Sequence, residues 1–184
     1  MREILENEFR ARQAAFGALS ALIDFPQHGI LPAHFKAWPE IAALAAELSL
    51  SADIDLKIRW TQLFENNKKL TLYMTYYKLT DSRARGQVLA KLKLLYEEFG
   101  ILLAQAELTD YLPAMLEFLS VITLDEATAE NLADLQLLFS VLEDGTFEAL
   151  KRAENPREPY IRLIARTRDL LKECLTIEKE EINS

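Results

Sequence analysis

The stretch SRARGQVLAKLKLLYEEFG, Ser82 to Gly100, decides the fold class. Val88, Leu92, Leu95 or Tyr96, and Phe99 recur at three-to-four spacing, which draws one apolar stripe along an α-helix and does not fit the two-residue alternation of a half-buried strand. Asp81 or Ser82 offers an oxygen to the first free N–H groups, and Gly100 supplies a left-handed stop, so both helix ends are legible. The same pattern continues outward along the chain. Five glycines in 184 residues are too few for a turn-rich β protein, and Ala, Leu, Glu, Lys and Gln fill the segments between breakers. The expected fold is all-α.

Upstream, a first helix is expected over Glu3–Ile23, with Ile4, Phe9, Ala15, Phe16, Leu19 and Leu22 near one stripe, stopping before Asp24-Phe25-Pro26. A second helical stretch, Ala33–Leu48, is divided at Pro39. Ser51 or Asp53 is expected to cap a third, Ile54–Glu65, in which Ile54, Ile58 and Phe64 repeat at mixed spacing and Trp60 and Leu63 add apolar area. The run Leu70–Leu79 suits a strand by propensity but, isolated among helices, is assigned as a buried helix. Downstream, Asp110 should cap a helix starting near Tyr111 or Leu112, with Pro113 in its first turn and Leu112, Met115, Leu116 and Leu119 inward. Asp125 should open a helix that ends near Gly145, and Thr146 should cap a shorter one to Glu154. A last helix is expected from Tyr160 to Ile177, after the Asn155-Pro156 break. One helical domain is thus expected over residues 1–177, with a polar, frayed tail at 178–184.

No apolar run approaches the ~20 residues needed to cross a bilayer. Met1 to Glu6 lack the apolar core of an export signal, and the lone Cys174 agrees with a reducing compartment, so a cytoplasmic location is expected. The formal net charge is -8, and its distribution is one-sided. From Leu94 to Leu150, fifty-seven residues contain no Lys, Arg or His but twelve Asp and Glu. Such a block attracts a cationic peptide and repels nucleic acid and acidic lipid, so neither nucleic acid nor a membrane is an expected partner.

Catalytic equipment is sparse. His28 and His34 stand far from Cys174 and meet none of the usual zinc spacings. Single glycines at 17, 29, 86, 100 and 145 form no phosphate-binding loop. Carboxylates such as Asp110 with Glu117, or Glu126 with Glu130, suit solvated helix faces. No catalytic residue, no metal and no cofactor is expected, and the chain is not read as an enzyme. Tyr73, Tyr76, Tyr77 and Tyr96 suit either a core or a peptide groove, because tyrosine joins apolar area to a polar tip. Gly86, inside an otherwise strong helix, suggests a close backbone approach.

Several strings, taken in order, resemble the nitrate reductase molybdenum cofactor assembly chaperones, also called the nitrate reductase delta subunit family. They are Leu22 to Pro26, Trp60 to Phe64, Ser82-Arg83-Ala84-Arg85-Gly86-Gln87, Tyr96 with Gly100, Glu107-Leu108-Thr109-Asp110-Tyr111-Leu112-Pro113, and Leu116-Glu117-Phe118-Leu119. The resemblance covers Leu22 to Ile122, while the C-terminal third shares only helical, acidic character. It implies a single multi-helix domain of the redox-enzyme maturation chaperone type. Such a protein binds the apo catalytic (alpha) subunit of respiratory nitrate reductase, typically through an N-terminal peptide related to twin-arginine signals, and supports molybdenum cofactor insertion. A monomer or a helix-swapped dimer is expected. Peptide contacts are assigned to Glu107, Asp110, Tyr111 and Glu117, to the aromatic Tyr73 and Tyr77, and, less directly, to Arg83, Arg85 and Gln87. Asp110 has an alternative as a helix cap, and Arg83 or Arg85 as the group that holds the acidic loop. Tyr111 stands where the family carries histidine, so no imidazole role transfers. The alternative from composition alone is a general helical scaffold or regulatory adaptor unrelated to metalloenzyme maturation.

Overall fold

A helix whose sequence is apolar on every side must lie at the centre of its domain. LPAMLEFLSV, Leu112–Val121, meets that description, with Glu117 as its one charge. The computed structural model describes residues 2–80, 82–104, 107–123 and 128–182, and there this helix is surrounded on nearly all sides: Leu112, Met115, Leu116 and Leu119 are wholly buried. In chain order the helices are α1 (Arg2–Ile23), α2 (Pro39–Leu48), α3 (Asp53–Trp60), α4 (Tyr76–Leu79), α5 (Arg83–Glu98), α6 (Leu112–Val121), α7 (Ala129–Arg152) and α8 (Pro159–Ile182). A 3-10 turn at Pro32–Phe35 precedes α2, and a π turn at Thr61–Glu65 continues α3.

Helix α1 packs chiefly on α6 and α8, while α8 also covers α7 and α2, and α5 and α4 lean on α7. Their inward residues join one continuous core, running from Phe16, Leu19 and Ile23 of α1 through α6 to Leu138 and Leu142 of α7 and Leu163 and Ile164 of α8. The Gln13 amide of α1 donates to the Leu119 and Ile122 carbonyls at 3.0 and 2.7 Å, satisfying acceptors that the end of α6 leaves open. No helix among the described residues is long and apolar enough to cross a membrane.

Many expected ends hold. The Ser82 hydroxyl accepts from Arg85 N–H at the start of α5, and Gly100 has the positive φ of 74° that its stop requires. Other expectations give way to packing. Ile54 and Ile58 are exposed at 63% and 49%, whereas Leu56, Trp60 and Phe64 form the buried face of α3 and its π turn. Ala52 occupies the N-cap position of α3, so neither Ser51 nor Asp53 caps it. The run Leu70–Leu79 is not one helix: only Tyr76–Leu79 coils, and Tyr73 instead forms an antiparallel bridge with Tyr111. Tyr111, not Asp110, is the N-cap residue of α6. Helix α7 runs through Gly145 and Thr146 without a break. It opens with a capping box between Thr128 and Asn131, while the expected start at Asp125 lies outside the described residues, as does the alternative cap Asp81. Helix α8 continues past Ile177 to Ile182, and residues 183–184 lie outside the description.

Two of the glycines inside helices, Gly86 and Gly145, differ in their reasons. A Cβ at Gly145 would stand 2.6 Å from Met74 Cβ and 2.8 Å from its Cα, so this glycine lets the segment before α4 lie against α7. Gly86 has nothing within 4 Å of the corresponding position, which removes the expected close approach. Opposite effects should follow. Gly145→Ala should lower stability by ~1–3 kcal/mol through overpacking, and Gly86→Ala should raise it by ~0.5–1 kcal/mol through helix propensity. Urea denaturation midpoints check both signs.

Candidate functional site

The string Glu107 to Pro113 reaches back to two other parts of the chain. Asp110 is wholly buried, and a buried carboxylate must find donors or a cation. It accepts from the Thr75 amide at 3.2 Å and the Thr75 hydroxyl, and Arg85 Nη2 stands 3.2 Å from its Oδ2. Arg85 Nε in turn donates to Thr75 Oγ1 at 3.0 Å, which closes the triangle. Backbone bonds run alongside, from Met74 N–H to the Asp110 carbonyl and from Leu112 N–H to the Leu72 carbonyl, at 2.9 and 2.8 Å. The Thr109 hydroxyl donates to the Leu89 carbonyl, and Tyr96 donates to the Thr109 carbonyl. Helix α5 therefore fixes the loop through Arg85, Leu89 and Tyr96.

This fixed loop forms one wall of a groove of about 920 Å³. The rings of Tyr73 and Tyr111 meet at 5.4 Å within it, tilted by 41°, and Tyr111 donates to the Asp24 carboxylate at 2.7 Å. Phe25, Trp60 and Phe64 continue the aromatic lining in edge contacts of 5.2 and 5.5 Å. Pro113, Ala114 and Glu117 project from one face of α6, because residues three and four apart share a side of a helix. Glu117 is thus the charge at which the apolar central helix meets solvent. Burial and the neighbouring Glu107 carboxylate push the Tyr73 hydroxyl above its ordinary range. Burial raises Tyr77 to about 12 against the ordinary 10.0. Burial and the Asp24 bond hold Tyr111 protonated far beyond neutral pH.

The basic-free block does not form one acidic face. The fold brings cations to several of its carboxylates: Lys78 to Asp144 at 2.7 Å, Arg168 to Glu143 at 3.5 Å, Arg152 to Glu148 at 3.2 Å and Arg85 to Asp110 at 3.2 Å. Glu107 and Glu117 have no ion-pair partner among the described residues, and both line the groove. Of the sequence-assigned contact residues, Tyr73, Tyr77, Glu107, Tyr111 and Glu117 meet there. Asp110 and Arg85 do not present themselves for contact, because each is buried and spent on the other; Arg85 takes its alternative role of holding the loop. Arg83 and Gln87 are exposed on α5 and do not line the groove. Sequence reasoning missed the contributions of Asp24, Lys68, Lys69 and Arg152, which only the tertiary fold assembles. His28 and His34 are exposed, and no cluster able to hold a metal occurs among the described residues.

An all-helical single domain with an open, tyrosine-lined groove, and carboxylates at its edge that have no ion-pair partner among the described residues, has the equipment of a binding protein. The family model described as nitrate reductase delta subunit matches residues 30–153, and the chain belongs to that family. The match extends past Ile122, where the sequence motifs end, to the close of α7. The probable nitrate reductase molybdenum cofactor assembly chaperone NarJ of Bacillus subtilis (strain 168) is 31% identical over 155 residues, covering 72% of this chain and 80% of that protein. The corresponding NarJ of Escherichia coli (strain K12) is 28% identical over 131 residues, covering 71% of this chain and 52% of its own length. The probable chaperone NarW of the same strain is 34% identical over 89 residues, covering 48% of this chain and 38% of its own.

Two measurements probe this architecture. Arg85→Ala strands a buried carboxylate and should cost ~3–5 kcal/mol, whereas Arg85→Leu with Asp110→Leu together should cost clearly less than the sum of the single changes. Additive losses in urea denaturation would contradict the coupling. Tyr77 is protonated in both folded and unfolded chains below its ordinary 10.0, and only the folded chain keeps the proton as pH rises toward about 12. The stabilisation it contributes is therefore present below pH 10 and disappears across that interval. Urea midpoints should fall less steeply there in Tyr77→Phe than in the unaltered protein.

Proposed function

We propose that this chain is a dedicated assembly chaperone of a respiratory nitrate reductase, acting in the cytoplasm without catalysing a reaction of its own. It binds the apo catalytic subunit through that subunit's N-terminal peptide, keeps the subunit competent for insertion of the molybdenum cofactor, and releases it once the subunit has folded around that cofactor. Membership in the delta subunit family, together with relatives named as molybdenum cofactor assembly chaperones, supports the client assignment. The observation that carries the peptide reading is the groove itself, with Tyr73, Tyr76, Tyr77 and Tyr111 lining it and Glu107 and Glu117 beside them without an ion-pair partner among the described residues. An amphipathic peptide lays its apolar face on such aromatics while carboxylates meet its cations.

Magnitudes divide the labour between these groups. Micromolar affinity corresponds to ~8 kcal/mol, and exposed ion pairs contribute only about 0.2–1 kcal/mol each. Apolar contact must supply most of the affinity, and charge sets approach rate and selectivity. Tyr76, 39% exposed, offers its open side for such contact, while the Arg85 guanidinium lies 5.6 Å from its ring centroid. Calorimetric titration with the catalytic subunit's N-terminal peptide should show near-micromolar binding with a negative heat-capacity change, and Tyr76→Ala should weaken it about tenfold, ~1.4 kcal/mol. A folded protein that ignores the peptide would overturn the mechanism and leave the general scaffold.

A further inference from the structure

The groove has two chemically different ends. Beside the paired rings of Tyr73 and Tyr111 stand Asp24, just after α1, and Glu107 of the 107–111 loop, and Glu117 of α6 lines the same groove. Among the described residues, Glu107 and Glu117 have no cation within ion-pair distance, and Asp24 accepts from the Tyr111 hydroxyl and the Phe25 amide. The other end is built from the Lys68-Lys69 turn and the last turn of α7. There Arg152 lies 4.8 Å from the Tyr77 ring centroid, and the Tyr77 hydroxyl is tied to Thr71. Glu154 meets Lys69 at 2.8 Å and Glu148 meets Arg152 at 3.2 Å, while Glu65 also borders this end. Lys68 has no carboxylate within ion-pair distance among the described residues. One end therefore carries unanswered negative charge and the other does not.

The geometry points to a groove that orients its peptide, with the cationic amino end at Asp24, Glu107 and Glu117 and the carboxyl-terminal half running toward Lys68. This rests on the peptide reading of the groove and adds a direction to it. Two properties of the occupant support that direction. The free amino group of a leader peptide is itself a cation, and a helical peptide carries the positive end of its dipole at the same terminus. In the opposite orientation both would face Lys68, and the acidic end would meet the peptide's carbonyls. The favoured occupant is an amphipathic peptide with Lys or Arg in its first turn and neutral or acidic residues in its last.

Photo-crosslinking tests the direction. The probe is a synthetic amphipathic peptide of about fifteen residues, with lysines in its first turn, glutamates in its last, and benzoylphenylalanine at its second or its penultimate position. The amino-end label should attach to residues 107–117 and the carboxyl-end label to residues 65–69. Glu107→Lys with Glu117→Lys, both outside the core, should weaken binding at least tenfold and scatter the amino-end adducts. Reversed adducts, or adducts scattered from the start although calorimetry shows binding, would overturn the orientation while leaving the peptide groove in place. If neither this probe nor the catalytic subunit's own N-terminal peptide binds, the groove reading falls as well.

Discussion

A wholly buried carboxylate, Asp110, constrains this fold more than any other polar group described. It is tolerable only with its donors in place, and those donors belong to separate parts of the chain: Arg85 on α5 and Thr75 just before α4. The pairing forces the loop that precedes α6 and the segment that follows the π turn to lie side by side, as the Tyr73–Tyr111 bridge records. The aromatic wall of the groove is a consequence of that juxtaposition. Such pairs are weak evidence of net stability, since apolar replacements of both partners are often tolerated. Their value here is positional, because a groove whose two walls are distant in sequence needs a directional tie between them.

The parts of the fold governed by local chemistry were legible in the sequence. Ser82 and Gly100 bound α5, Pro113 sits in the first turn of α6, and the inward face of α6 follows from its spacing. The failures came where tertiary contacts override local preference. Gly145 resembles a helix stop until Met74 is seen against it, and Leu70 to Met74 stay out of a helix because their backbone groups pair with the loop around Asp110. The acidic block misled for the same reason: apart from Arg152, four residues beyond Glu148, its cations lie far away in sequence, on α4, α5 and α8, and no one-dimensional reading places Lys78 beside Asp144 or Arg168 beside Glu143. Asp110, read from the sequence as a peptide contact or a helix cap, is instead buried against Thr75 and Arg85.

What remains after those pairings is a sparser and more selective surface than the sequence suggested. Glu107 and Glu117 are left with no ion-pair partner among the described residues, and they border the aromatic side chains that line the groove. Tyr111, standing where the family resemblance carries histidine, is held as a neutral donor to Asp24, so it brings no change of charge near neutral pH. Affinity from apolar area with selectivity from a few charges suits a chaperone that must release its client. In the proposed function, such binding would be reversed when the client's folding withdraws the peptide, with no covalent step to undo.

The central claim is that this groove holds an immature catalytic subunit in the cell. Its most direct test replaces exposed Tyr76 with a photo-crosslinking amino acid and irradiates cells with and without a working molybdenum cofactor pathway. The account predicts an adduct containing the nitrate reductase catalytic subunit, abundant when cofactor synthesis is blocked and scarce when the enzyme matures. Absence of that adduct under both conditions, or equal trapping of immature and finished enzyme, would contradict it.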